Sequence, residues 1–208
     1  NKWHRALIDN SYWPGERYDT YYVNAPSSGV GNGIGGRANH LLLSDYDAVL
    51  YTSGDLPVNT IANGDFNTDA GDDVGTLMNW LDLGAKDMFL TGDDLASDLA
   101  QAGTATLDFL ENYLGLSLVT WDARPYIDGQ TSPLVKVVPG NPVFQGPLQS
   151  WYAFGGCPGI NTFDGVAPAG DAVRLAEFTD PAGQAGAYAL SAATLKVRNP
   201  GLDQSRLI

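Results

Sequence analysis

One turn constrains this chain more than any other. The apolar run "DMFLTG" breaks at Gly92 into two carboxylates, Asp93 and Asp94, and the helical pattern "LASDLA" follows at once. A wholly apolar strand suits burial on both faces of a parallel sheet. Ahead of it, Val74, Leu77, Met78, Trp80 and Leu81 share one helical face, with Asp72 or Asp73 placed to cap the start and Gly84 the end. Earlier still, "YDAVLYTSGD" (Tyr46–Asp55) reads as a β-run. Strand, helix, strand and helix with short connections imply right-handed βαβ units. The expected architecture is therefore an open, doubly wound, mainly parallel α/β sheet. Further helices are expected over Leu95–Ala102 and Ala105–Leu114, and "KWHRALIDNS" is read as a first strand ending at Asp9.

The character changes after Leu116. Short β-type runs, "LSLVTW", "LVKVV", "AVRLAEF" and "GAYALSA", alternate with Pro/Gly turns, so the C-terminal half is expected to add antiparallel strands or a hairpin. With 208 residues and no internal repeat or long linker, residues 1–208 read as one domain. A start at Asn1 and a stop after "QSRLI" suggest a processed or excised part of a longer chain.

A formal net charge of −13, with eleven Lys and Arg against twenty-four Asp and Glu, argues against a nucleic-acid partner or an anionic membrane surface. No run reaches the roughly 18 apolar residues of a membrane span. Little Lys, much Gly, Asn, Asp and Thr, and 11% aromatic residues fit an extracellular, cell-surface or periplasmic protein.

In doubly wound sheets the carboxyl ends of the strands line one ligand crevice. Asp9, Asp55 and the Asp93/Asp94 pair would converge there, and clustered carboxylates either raise one pKa or recruit a hard cation such as Mg²⁺ or Ca²⁺. The competing reading of Asp94 is a plain cap on the following helix. Asp93 is then surplus to the cap and becomes a candidate catalytic acid.

"DYDAVLYTSGD", "NWLDLGAKDMFLTGDDLASDL" and "FLENYLG" together resemble the class I glutamine amidotransferase-like, flavodoxin-related domains carried inside large secreted bacterial proteins. The likeness spans about Ser44 to Gly115, and more loosely "NPVFQG" and "GGCPGINTFDGVAP". In active members a Cys occupies the strand-to-helix elbow, and a His and a Glu follow far downstream. Here Asp93 occupies the elbow, and both histidines, His4 and His40, precede it. The glutaminase reaction needs a thiolate with a nearby base. The resemblance thus implies the scaffold without the reaction: a non-catalytic binding, assembly or structural module among other domains or subunits of an exported protein.

Other residues keep rival readings open. Cys157, the sole cysteine, excludes an intrachain disulfide. With His4 or His40 approaching in space it would make a hydrolase nucleophile, against the bland alternative of a packed thiol. "NGDFNTDAGDD" sets Asp65, Asn67 and Asp69 at alternate positions with Asp72 and Asp73 behind, a spacing that lets oxygens wrap calcium. Ala70 and Thr76 stand where an EF-hand needs Gly and Glu, so the rival to a looser calcium site is an Asx-turn loop feeding a helix cap. A Mg²⁺-dependent acidic pocket is a further alternative, weakened by the lack of an identifiable partner Lys. "GVGNGIGG" matches G-x-G-x-x-G but lacks a preceding strand, so it reads as a loop and not a nucleotide site. Aromatics such as Trp13, Tyr21, Tyr22 and Trp151 are candidate platforms for carbohydrate or a protein partner.

Overall fold

The computed structural model describes residues 2–15, 17–23, 33–54, 56–61, 71–153, 162–198 and 205–208. Strand β1 (Ala48–Gly54) and strand β2 (Asp87–Gly92) pair in parallel, from Ala48 opposite Asp87 to Gly54 opposite Gly92. Between them runs α2 (Asp73–Leu81), where the Asp72 side chain accepts the Gly75 N–H at 2.8 Å. Val74, Leu77, Trp80 and Leu81 are wholly buried, which is the helical spacing of the sequence turned onto the sheet. Helix α3 (Leu95–Ala102) follows β2, then α4 (Thr104–Asp108), which continues as a π-helical turn over Phe109–Tyr113. Gly115 closes that run with φ of +66°.

The expected doubly wound, flavodoxin-like sheet is not what these strands build. Beyond β2 lies β9 (Ser205–Leu207), parallel to it, and from there every pairing is antiparallel. The strand order is β1-β2-β9-β8-β7-β4-β5, and the whole is a nine-stranded, mixed and mostly antiparallel curled sheet. Its remaining strands are β3 (Leu116–Thr120), β4 (Leu134–Val137), β5 (Ser150–Tyr152), β6 (Gly165–Pro168), β7 (Val173–Phe178) and β8 (Ser191–Arg198). Connection length explains one part of the correction. A parallel join needs a crossover of a dozen or more residues. The paired strands β8 and β9 are only six residues apart in the chain, fewer than a parallel pairing of the two would need. After Tyr113 the described residues hold no further α-helix that could make a parallel crossover.

The first segment is also corrected. Lys2–Asp9 forms helix α1, not a strand. His4, Leu7 and Ile8 are its partly buried positions, an i, i+3, i+4 face, and Arg5 pairs with Asp9 one turn on. Asp9 is therefore exposed on a helix and not at a strand end.

Strand β8 is shared by two ladders. Ser191–Leu195 pairs with β7, whereas Lys196–Arg198 pairs with β9, and Ser191 is also bridged to Val166 of β6. Two apolar cores result. One joins α2, α3 and α4 to β2 and β9 around Trp80, Leu99 and Phe109. The other lies in the antiparallel half around Ile127, Val135, Phe163 and Phe178. Among the described residues no helix is long and apolar enough to cross a membrane.

Candidate functional site

The turn after β2 is built by close approach. A Cβ on Gly92 would lie 1.9 Å from Ser53 Oγ, so glycine lets the ends of β1 and β2 come together. The Asp93 N–H donates to Gly54 O at 2.8 Å, and Asp93 O accepts the Asp164 N–H at 3.2 Å. Asp94 holds the N-cap position of α3, and its carbonyl accepts from the Asp98 N–H and the Ser97 hydroxyl. Its side chain makes no capping hydrogen bond. Asp164, just ahead of β6, does that work from across the fold: Oδ2 accepts the Ser97 N–H at 2.8 Å. Three acids thus meet at one turn, and the capping role expected of Asp94 belongs to Asp164.

Asp164 Oδ1 is buried and has no hydrogen-bond partner among the described residues. Burial is the main reason the carboxyl is pushed up to about 6. The Ser97 and Ala96 donors pull it back without giving Oδ1 a well-shaped bond, and the charge of Asp94 raises it further. A carboxyl raised in the folded state binds its proton more tightly there than when unfolded. Its contribution is therefore fully present below the unfolded value and is lost as pH climbs through about 6. Discounted for partial solvent access, the loss is on the order of 1–2 kcal/mol. Asp164→Asn keeps an oxygen for the Ser97 N–H, so its denaturation midpoints between about pH 4 and 7 should lack this decline, while the parent shows it.

Beside this turn lies a cavity of about 510 Å³, set between the two cores. Its size falls in the range of roughly 300–1,000 Å³ typical of small-ligand sites. Leu95, Ala96, Leu110 and Leu114 form the helical wall, and Phe144, Trp151, Phe163 and Phe178 the opposite one. Ala192 and Ala193 of β8 leave the space between the ladders open. Asp93 and Asp164 are the two charged side chains among the described lining residues. A second hollow, about 630 Å³, is a shallow depression whose described lining residues all come from the one segment Gly35–Leu42.

The other sequence candidates are scattered. His40 sits partly buried in the turn before β1 and does not line the cavity. His4 is engaged on α1, with Nδ1 2.9 Å from the Tyr18 hydroxyl and Nε2 3.3 Å from those of Thr20 and Tyr22. Cys157, Asp55, Asp65, Asn67 and Asp69 lie outside the described residues. Asp72 is the α2 cap, and buried Asp73 accepts the Gly35 N–H at 2.6 Å. That carboxylate takes an amide a nucleotide loop would offer to phosphate. Among the described residues no three His, Cys, Asp or Glu side chains gather as a metal site. Asp164 escaped sequence reading because its partner Ser97 lies 67 positions away and no local pattern links them. No family model matches the chain, and neither the curated proteins nor the solved structures yield a match.

Proposed function

We propose that the chain is a non-catalytic binding module of an exported protein, and that it holds a small, largely apolar ligand in the cavity between its two cores. The carrying observation is the cavity itself: about 510 Å³ of space lined mostly by aliphatic and aromatic residues, with Asp93 and Asp164 among them. Mostly apolar hollows with a few convergent polar groups are where small molecules bind. The elbow supports a silent role, since it offers a carboxylate, and neither histidine lines the cavity.

The test uses Nile red, a neutral apolar fluorophore. It should bind with enhanced emission, and Ala193→Phe, which fills the cavity from β8, should weaken binding about tenfold or more while the protein stays folded by circular dichroism. Unchanged binding in that variant would move the ligand elsewhere. A second reading, acid–base chemistry by Asp164, is favoured by a carboxyl that titrates near neutrality inside a cavity. It requires a bound ligand to be turned over, and turnover to vanish in Asp164→Asn.

A further inference from the structure

We infer that residues 138–149, the link between β4 and β5, form a lid over the cavity, and that Leu148 is the side chain this lid closes on a bound molecule. The inference rests on the binding reading above and deepens it by naming the way in. The link runs from Val137, the last residue of β4, to Ser150, the first of β5, and is far longer than the roughly 2–5 residues of a common hairpin loop. Its neck is pinned. Lys136 lies opposite Ser150, and the Val137 N–H donates to Gln149 O at 2.9 Å. A loop with its ends held together and its body bulging outward is the form in which functional surface segments recur.

No polar tie fastens the body of this loop to the rest of the described chain. Its sequence, "VPGNPVFQGPLQ", holds no charged residue. Among the described residues, every hydrogen bond made by residues 139–149 stays within the loop or returns to its neck at Val137 and Val138. The attachment is apolar instead. Phe144 packs on Trp151, ring centroids 5.5 Å apart, at the border of the antiparallel core. Phe144 and Leu148 both line the cavity. Leu148 is nevertheless 47% exposed, a large aliphatic side chain at the rim that the fold itself leaves in water. A ligand that covers it removes that apolar surface from solvent.

Two glycines supply the turning points. Gly140 has φ of +76° and Gly146 of +105°, and nothing lies within 4 Å of a Cβ built at either. Close packing therefore holds neither one, and glycine crosses between backbone regions that other residues avoid. They flank Phe144, so rotation at the pair swings the side chains that touch the cavity. The facing wall of Leu95, Ala96, Leu110 and Leu114 belongs to the packed helical core. Segments with few buried contacts open locally at low free-energy cost, so the loop is the part that yields when a molecule enters.

The experiment combines hydrogen exchange on the free and the Nile red-saturated protein with stopped-flow fluorescence of Nile red release. Closure should slow exchange of the loop amides between residues 143 and 149 about tenfold or more on saturation. Gly140→Ala lies outside the cavity lining and should speed release about fivefold, because a side chain disfavours the left-handed hinge of the closed loop. Leu148→Ala should speed release about fivefold or more and leave association unchanged. A fixed wall predicts otherwise. Unaltered release from a folded Gly140→Ala, or loop exchange that saturation does not slow, overturns the lid and leaves the cavity reading standing. Should Gly140→Ala not fold, hydrogen exchange on the parent decides alone. Parent-like release from Leu148→Ala overturns Leu148 as the closing side chain. If Nile red does not bind the parent at all, the binding reading has failed first and the lid falls with it.

Discussion

Asp98→Ala is expected to destabilise the protein by about 3–5 kcal/mol, a fall in melting temperature on the order of 10 °C for a chain of this length. Asp98 lies on the buried face of α3, and its carboxylate gathers three donors from the loop after β1. The Asn59 N–H reaches Oδ1 at 3.1 Å, and the Thr60 N–H and hydroxyl both reach Oδ2 at 2.7 Å. Asn59 has φ of +54°, a conformation an isolated chain would avoid, so the carboxylate holds the loop in an unfavourable shape. The same loop seats Ile61, almost fully buried, in the helical core. From the other side the Tyr51 hydroxyl donates to Thr60 O at 2.6 Å. Burial, then the charges of Asp73 and Asp98, drives the Tyr51 pKa far upward, so it remains a donor at every ordinary pH. Alanine would strand three donors away from water, and that desolvation sets the size of the effect. Asp98→Asn keeps one oxygen and should cost about 1–3 kcal/mol. Thermal melts of both variants check this, and a shift for Asp98→Ala within experimental error would show that the loop is held by something else.

What could be read beforehand follows the range of the interactions involved. The Asp72 cap, the buried stripe of α2 and the bounds of α3 rest on residues within a few positions of one another, and local patterning carries them. The sheet is long-range. Nothing in "SRL" announces that Ser205–Leu207 will wedge beside β2, because three residues carry too little periodicity. Strand β8 resists local patterning for another reason: "GAYALSA" reads as one run, yet regular pairing begins only at Ser191 and then serves two partners in succession. Ser191–Thr194, from the part of the strand that pairs with β7, line the cavity. The site was half legible. Asp93 stood out at its turn, but its counterpart arrives from the start of β6, and the wall across from the helices comes from strands and turns far along the chain. The helix–strand confusion over Lys2–Asp9 has a simpler origin, since eight residues with loosely spaced apolar positions satisfy either period.

Gly35→Ala should cost about 3–5 kcal/mol, and the reason is backbone against backbone. A Cβ there would sit 2.2 Å from both the carbonyl carbon and the oxygen of Asp72, and 2.5 Å from Asp73 N. Those atoms open α2 and cannot rotate aside as a side chain would. Relief requires the Gly33–Gly36 segment to lift from the helix, and lifting it breaks the Gly35 N–H bond to Asp73 Oδ1. Asp73 is wholly buried, so the change withdraws a donor from a carboxylate that water reaches poorly. Gly140 is the control. Its φ is +76° and nothing lies within 4 Å of an added Cβ, so alanine there costs only the left-handed conformation, about 1 kcal/mol. Chemical denaturation of the two variants separates the mechanisms. Equal losses would mean that the approach to α2 yields freely and that the contact with the Asp72 backbone sets no extra cost.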